Sequence, residues 1–134
     1  MSFLVLDTSV ASMVLDDRPI LALYLPHIRS SESVLSFQTV AEIRLGVSLA
    51  QWSKSRIERL EQYFSDTIIQ VQDDELIRCW VHIMRDARLA GRRLESGDGW
   101  IAATALLLDA PLLTHDKDFD AEACPSITVI RYTA

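Results

Sequence analysis

Hydrophobic and polar positions follow two different patterns along the chain. Short runs of apolar and β-branched residues predict strands, and longer segments with apolar residues at every third or fourth position predict helices. The predicted strands are residues 3–6, 34–37, 67–71, 112–114 and 127–131. The predicted helices are residues 8–15, a segment from Pro19 that ends or kinks at Pro26, and residues 38–50, 53–64, 73–91 and 100–109.

The order of these elements predicts the fold class. Strands separated by helices imply right-handed crossovers and a mainly parallel sheet with helices on both faces. We therefore expect a three-layer α/β/α fold. A length of 134 residues fits a single domain spanning residues 1–134.

Composition excludes several classes of protein. A hydrophobic content of 49% is too high for a disordered chain, and two cysteines are too few for a disulfide scaffold. The longest apolar stretch, residues 101–108, is far shorter than the roughly 20 residues that span a bilayer, and the first residues do not resemble an export signal. We expect a cytoplasmic protein with no membrane association.

The net charge is −6, from 19 acidic and 13 basic residues. This balance argues against a protein that coats nucleic acid by bulk attraction. It leaves open an enzyme that holds phosphodiesters through a local basic patch and metal ions.

Four acidic residues fall near one edge of the predicted sheet. Asp7 ends the first strand, and Asp116 follows the fourth strand by two residues. Glu42 lies in the first turns of the helix after the second strand. Asp98 comes just before a buried helix, where the backbone N–H groups favour an anion. Because the crevice at the carboxyl ends of the strands is the usual site in such sheets, these carboxylates are expected to converge.

Each acid also has a structural interpretation when taken singly. Asp7 can cap a helix, Glu42 can be a solvated side chain, and both Asp98 and Asp116 suit caps or turns. Two carboxylates about 5 Å apart repel by roughly 3 kcal/mol at an effective dielectric constant near 20. A converging set must therefore take up protons or bind a cation, and an all-oxygen site suits Mg²⁺ or Mn²⁺. Such sites support metal-assisted hydrolysis of phosphodiesters.

Four segments of the chain carry a family resemblance. They are residues 6–9 (LDTS), 41–46 (AEIRLG), 98–105 (DGWIAATA) and 113–119 (LTHDKDF). In this order and at these separations they resemble PIN-domain proteins, and most of all the VapC-type toxins of bacterial toxin–antitoxin pairs, including the FitB-like branch. The resemblance covers essentially the whole chain.

The resemblance implies a Mg²⁺-dependent endoribonuclease, with Mn²⁺ as a substitute, in which the metal activates water to cut RNA. The positions that match the catalytic, metal-binding acids are Asp7, Glu42, Asp98 and Asp116. Asp118 is a second acid near the fourth position. The hydroxyls of Thr8, Ser9 and Thr114 either position water or an acid, or serve as helix caps and strand ends. His115 lies beside Asp116, but an oxygen site does not require it.

The resemblance also implies partners. The substrate is RNA, and a small VapB- or FitA-like antitoxin wraps the toxin with its C-terminal segment and blocks the acidic pocket. A toxin homodimer forms, often through early helices, and the assembled complex binds operator DNA through the antitoxin. Tyr24, Leu25 and Ile28 fit such a dimer interface and fit core packing equally well.

Two further features have more than one interpretation. Trp100 is bulkier than the small residue expected two places after the third acid, and it either packs in the core or stacks a base at the mouth of the site. The arginines at one stripe of the longest predicted helix are Arg78, Arg85, Arg88 and Arg92, with Arg93 close by. They form an RNA-phosphate track, an antitoxin contact, or a solvated face paired with Asp86 and Glu95.

Two other functions are compatible with the same acidic residues, and a third is disfavoured. A DNA-directed or structure-specific nuclease has the same acidic chemistry, and a catalytically silent chain can still bind an antitoxin. A response-regulator receiver domain is disfavoured, because the end of the third predicted strand, residues 69–71, carries no phospho-acceptor aspartate.

Overall fold

A five-stranded parallel sheet runs through the centre of the computed structural model, which describes residues 2–132. The strands are β1 (Phe3–Leu6), β2 (Glu32–Ser36), β3 (Ile68–Gln70), β4 (Leu112–Leu113) and β5 (Val129–Ile130). Their order across the sheet is β3-β2-β1-β4-β5, and each of these neighbouring pairs is parallel. In the central register, Leu6 pairs with Leu35 on one side and with Leu113 on the other. The carboxyl ends of β1, β2 and β4 therefore meet at one edge.

Helices cover both faces of this sheet. They are α1 (Thr8–Asp16), α2 (Leu25–Arg29), α3 (Phe37–Ala50), α4 (Lys54–Asp66), α5 (Asp74–Leu89) and α6 (Ser96–Leu108), with a 3₁₀ segment at Pro19–Leu23. Because side chains alternate along a strand, each strand contributes to two cores. The core shared with α5 and α6 includes Val5, Val34, Leu112, Leu76, Ile83 and Ile101. The core shared with α1, α3 and α4 includes Leu4, Leu6, Leu35, Met13, Ile43 and Leu60. The predicted three-layer fold is confirmed.

Polar side chains fix the starts of four helices. Asp7 accepts a hydrogen bond from Val10 N at 2.9 Å and caps α1, and Ser36 does the same for α3 through Gln38 N at 3.1 Å. Ser53 and Asp73 cap α4 and α5. Each cap satisfies an N–H group that the helix itself cannot pair.

The prediction of one helix from Pro19 to Pro26 was wrong. Residues Pro19–Leu23 form a 3₁₀ segment, and Pro26 lies in the first turn of the separate helix α2. Proline is tolerated in a first turn because its missing N–H group would have no partner there. Both prolines therefore begin segments, and neither ends one.

The start of α6 also differs from the prediction. The helix begins at Ser96, four residues before the expected Trp100, so Asp98 lies inside the first turn. Gly99 explains the difference, because a Cβ atom there would lie 2.5 Å from Met84 Sδ and 2.9 Å from Trp80 Nε1. The glycine allows α6 to pack closely on α5, and it does not mark a loop.

None of the helices within residues 2–132 combines the length and apolar character needed to cross a bilayer.

Candidate active site

Asp7 lies at the end of the central strand and is only 2% exposed. Its Oδ1 accepts hydrogen bonds from Ser9 Oγ at 2.7 Å and Val10 N at 2.9 Å, and its Oδ2 accepts one from Thr114 Oγ1. Burial raises the pKa of this carboxyl, while the three hydrogen bonds oppose that rise. Asp7 thus caps α1 and also takes a fixed position at the edge of the sheet.

Glu42 is held between α1 and α3. Thr8 Oγ1 donates to Glu42 Oε2 and lies 3.1 Å from Thr39 Oγ1, and Gln38 Nε2 donates to Glu42 Oε1 at 3.1 Å. The side chain is half-buried. Glu42 is therefore a positioned carboxylate and does not behave as a freely solvated helix side chain.

Asp98, Asp116 and Asp118 form the tightest group of acids. Each offers one carboxylate oxygen within 4.8 Å of the others. The loop after β4 is organised by two hydrogen bonds, from Asp116 N to Thr114 Oγ1 and from Asp118 N to Asp116 Oδ1, both at 2.9 Å. This loop presents two carboxylates to the first turn of α6.

The pKa of Asp98 is raised in part because the other acids of the site lie close to it. Burial, as the largest cause, and the negative charges of the neighbouring acids together raise this pKa to about 6; these acids are Asp116, Glu42, Asp118 and Asp7, in order of effect. The structure thus places Asp98 within electrostatic reach of every acid that the sequence singled out. Four segments bring five carboxylates to the edge where β1, β2 and β4 end.

Three residues that the sequence analysis did not single out support this edge. Gln38 and Thr39 contact the Glu42–Thr8 pair directly. A Cβ atom on Gly97 would lie 2.8 Å from Gln38 Nε2 and 3.4 Å from Glu42 Oε1, so only glycine fits there without displacing Gln38. Helical spacing offered a signal for Gln38, because residues four apart share a helix face.

Tyr24 and His115 belong to a network behind the acids. Tyr24 has 0% exposure, and its hydroxyl lies 2.6 Å from His115 Nδ1, donates to Thr114 O at 3.1 Å and accepts from Tyr132 N at 3.1 Å. The dimer-interface interpretation was therefore wrong for Tyr24, because burial within its own chain leaves no surface to offer. Leu25 and Ile28 pack partly against the same core.

Trp100 packs against other aromatic residues. Its ring stacks on Trp80 with centroids 5.1 Å apart and meets Phe37 edge-on at 5.5 Å, while Trp80 Nε1 donates to Ser96 O at 3.1 Å. These contacts favour core packing over base stacking for Trp100, and they tie the first turn of α6 to α5.

The predicted arginine stripe is shorter than the sequence suggested. The helix α5 ends at Leu89, and Gly91 has a φ of +69°, so Arg92 lies beyond the helix. Arg92 pairs with Asp120 and with Glu122, the latter at 2.8 Å. The predicted pairing of the stripe with Asp86 and Glu95 is therefore wrong for Arg92.

The remaining arginines differ in their pairing. Arg78 pairs with Asp74 at 2.9 Å, one helical turn earlier. Within residues 2–132, the ion pairs do not include the exposed Arg85 and Arg88. These two guanidinium groups are available to a partner, as is the exposed Arg93 beyond the helix, which is likewise absent from the ion pairs of residues 2–132.

The acidic residues Asp7, Glu42 and Asp116 come from the segments that follow β1, β2 and β4 at one edge of the parallel sheet. The chain matches the PIN domain over residues 4–123 and belongs to that family. It is 33% identical over 130 residues to Ribonuclease VapC5 of Mycobacterium tuberculosis, covering 95% of this chain and 93% of that protein. It is 33% identical over 122 residues to Toxin FitB of Neisseria gonorrhoeae, covering 84% and 87%.

A solved structure shows the same fold. VapBC-5 from Mycobacterium tuberculosis, a member of the VapBC family of toxin–antitoxin systems, superposes with a TM-score of 0.70 at 30% identity, covering 98% of this chain and all of that one. The resemblance to VapC-type and FitB-like proteins is thereby confirmed.

The donor set fits a hard divalent cation. Oxygen ligands at about 2.1 Å from an octahedral Mg²⁺ lie at most ~4.2 Å apart, and the oxygens of Asp98, Asp116 and Asp118 lie within 4.8 Å of one another. After burial, the negative charges of four neighbouring acids are the causes that raise the pKa of Asp98. A cation would remove the repulsion that raises this pKa.

Proposed function

We propose that this chain is a Mg²⁺-dependent endoribonuclease, with Mn²⁺ as a substitute, and the toxin of a type II toxin–antitoxin pair. The single observation that carries the proposal is the convergence of Asp7, Glu42, Asp98 and Asp116, with Asp118 beside them, on one sheet edge. The family membership and the relatives named as a ribonuclease and a toxin support it.

The acids divide into two groups by their surroundings. Asp98, Asp116 and Asp118 each offer a carboxylate oxygen within 4.8 Å of the others and are the residues that would hold the metal. Asp7 and Glu42 are each oriented by hydroxyl or amide donors. When bound, Mg²⁺ supplies a Lewis acid that lowers the pKa of water and neutralises charge on the phosphate.

The hydroxyl donors set the direction of the carboxylates. Thr114 and Ser9 each donate to one oxygen of Asp7, which opposes the rise in its pKa caused by burial. Thr8 and Gln38 hold the two oxygens of Glu42 in the same way. Preorganised acids need little rearrangement when the phosphodiester arrives.

The proposed nucleophile is water, so the 2′-hydroxyl of RNA takes no part in the attack. The products should carry 5′-phosphate and 3′-hydroxyl ends.

Arg85 and Arg88 are proposed as contacts to RNA phosphates, since they are exposed and free of ion pairs within the described residues. Arg92 contributes less to this role, because Asp120 and Glu122 already neutralise it. The proposed partners are a VapB- or FitA-like antitoxin that blocks the acidic edge, a second copy of the toxin, and operator DNA contacted through the antitoxin.

The deciding experiment is cleavage of total cellular RNA by the purified, antitoxin-free protein with Mg²⁺, then with Mn²⁺. Controls are EDTA, Asp98→Asn, and the matched variant Asp109→Asn at the exposed opposite end of α6. Cutting at discrete sites that Asp98→Asn abolishes and Asp109→Asn retains would establish the ribonuclease.

Other outcomes point elsewhere. A folded, metal-binding protein that cuts matched DNA and no RNA would be a DNA-directed nuclease. One that cuts neither would be a silent antitoxin-binding partner. Products ending in 2′,3′-cyclic phosphate would contradict the water mechanism.

A further inference from the structure

A groove between α1 and α3 opens directly from the acidic edge. Its volume is about 160 Å³, and its two ends are lined by Thr8 with Glu42 and by Asp16 with Trp52. Thr8 and Asp16 lie eight residues apart on α1, which places the ends roughly 12 Å apart at 1.5 Å per residue. The groove shares Glu42 with the candidate active site and leads away from it.

The aromatic ring of Trp52 lies at the far end of the groove. Trp52 lies between α3 and α4, and the guanidinium of Arg56 lies over its ring, 3.6 Å from the centroid. Arg56 Nη2 also donates to Asp16 Oδ1 at 2.7 Å, and Arg18 lies 3.5 Å from Asp16 Oδ2. With Asp17 beside Asp16 in the sequence, two arginines balance two carboxylates at this end, and the guanidinium groups are its charged hydrogen-bond donors.

The middle of the groove is kept open by a glycine. Gly46 lies one helical turn after Glu42, and a Cβ atom there would meet no heavy atom within 4 Å. Leu15 and Ile43 line the same region with apolar surface, and Ser12 offers a hydroxyl. Alanine stabilises a helix interior more than glycine does, so the open space above Gly46 comes with a lower stability of α3.

We propose that this groove binds one unpaired base of the RNA substrate, the base of a nucleotide adjacent to the scissile phosphate. The inference rests on the ribonuclease function proposed above. Proteins recognise single-stranded RNA by stacking its splayed bases on aromatic and guanidinium planes, and the Trp52–Arg56 pair presents both.

Size and charge favour this occupant. Pockets for drug-sized ligands measure about 300–1,000 Å³. The groove is about half the lower limit, which suits one flat ring system. The guanidinium groups of Arg18 and Arg56 are charged donors suited to the backbone phosphate that follows the base, and the Ser12 hydroxyl provides a polar contact to the base edge.

The test fills the groove without touching the acids. Gly46→Met places a flexible side chain in the open space, and Ser48→Met adds the same side chain to an exposed position on another face of α3. Two activities are measured with Mn²⁺: cleavage of an RNA library with mapped ends, and hydrolysis of bis(p-nitrophenyl) phosphate, which is too small to reach Trp52. The measured quantity is the rate of RNA cleavage divided by the rate of bis(p-nitrophenyl) phosphate hydrolysis.

We expect Gly46→Met to lower this ratio at least tenfold and to change the base preference at one position beside the cut. Trp52→Ala should change the preference at the same position, and Ser48→Met should leave both quantities as in the wild type. Binding of a single-stranded RNA oligonucleotide in the Asp98→Asn background should weaken with Gly46→Met, which separates recognition from turnover.

An unchanged ratio and base preference in Gly46→Met would overturn the inference while leaving the proposed function intact, as would an equal fall in Ser48→Met. Loss of antitoxin binding without any change in RNA cleavage would show that a protein segment occupies the groove, and would equally overturn it. Failure of the wild type to cut RNA at all would instead remove the proposed function.

Discussion

The hydroxyl of Thr114, just beyond β4, donates a hydrogen bond to Oδ2 of Asp7 at the end of β1. Both side chains are buried, and the bond joins two neighbouring strands at the edge where the acids meet. A hydrogen bond to a carboxylate favours its ionised form. Thr114 therefore counteracts the effect of burial on the pKa of Asp7.

Thr114→Val removes this donor with little change in shape. Leaving a buried polar group without its partner costs about 1–3 kcal/mol, so the free energy of unfolding should fall by that order. RNA cleavage should fall at least tenfold, because Asp7 loses the donor that orients its Oδ2 and opposes the rise in its pKa. Thr104→Val is the matched control, since Thr104 is also buried but donates to Trp100 O within α6. Equal cleavage by the two variants would contradict a role for Thr114 in the site.

The stability of the metal-free protein should depend on pH through Asp98. Its folded-state pKa of about 6 exceeds the ordinary value of 3.8, so between these values the folded state holds a proton that the unfolded state releases. Stability therefore falls as pH rises from about 4 to 6 and stays low above that range. Thermal unfolding in EDTA at pH 4.5 and 7.5 measures this effect.

Asp98→Asn should remove this dependence. A shift of about two pKa units corresponds to ~3 kcal/mol, and we halve it for a half-buried side chain, which leaves about 1–2 kcal/mol. The variant should be more stable than the wild type by this amount at pH 7.5 and by only about a third of it at pH 4.5, where the carboxyl of the unfolded state is still partly protonated. A variant that is less stable at both values would show that Asp98 is not held in a repulsive cluster.

Mg²⁺ should stabilise the folded protein and displace protons near pH 6. Binding at 100 times the dissociation constant adds ~2.7 kcal/mol to the free energy of unfolding. Calorimetric titration at pH 6 in two buffers with different ionisation enthalpies measures the released protons. Asp98→Asn should abolish the proton release and weaken binding, whereas Asp109→Asn should do neither.

Two glycines should respond in opposite ways to the same substitution. Gly99→Ala places a Cβ against Met84 and Trp80, and overpacking of this kind costs about 1–3 kcal/mol. Gly46→Ala meets no atom within 4 Å and should stabilise the protein by up to about 1 kcal/mol, the helix preference of alanine. Urea unfolding of both variants measures the difference, and equal effects would contradict the close packing of α6 on α5.

The arginines of α5 can be separated by their pairing. Arg85→Ala with Arg88→Ala should weaken RNA binding several-fold and lower its salt dependence, since each phosphate contact releases counterions. Arg78→Ala is the matched control, because its guanidinium already pairs with Asp74. If RNA cleavage, RNA affinity and antitoxin affinity are all unchanged in the double variant, these arginines are a solvated surface.

Strand ends were the part of the site that the sequence predicted best. Asp7 and Asp116 follow short apolar runs, and parallel pairing necessarily brings the ends of such runs to one edge. Glu42 followed from its place in the helix after β2. The supporting contacts of Gln38 and Thr39 depend on how α1 packs on α3, which no local pattern specifies.

The errors have one physical origin. The sequence Gly97-Asp98-Gly99 predicts a loop because glycine disfavours helices, yet contacts with Met84 and Trp80 make Gly99 part of α6. Arg92 matched the helical spacing of α5, but the chain turns at Gly91, and the guanidinium of Arg92 pairs with Asp120. In both cases a tertiary contact outweighed a local preference.

The two roles of Asp7 have an evolutionary consequence. Asparagine caps helices as well as aspartate does, so a change at this one position to asparagine would keep the acceptor for Val10 N and preserve the start of α1. It would nevertheless remove a negative charge from the centre of the acidic edge. If the proposed site is correct, an inactive descendant that keeps the fold lies a single residue away, and selection against toxicity has a short route to it.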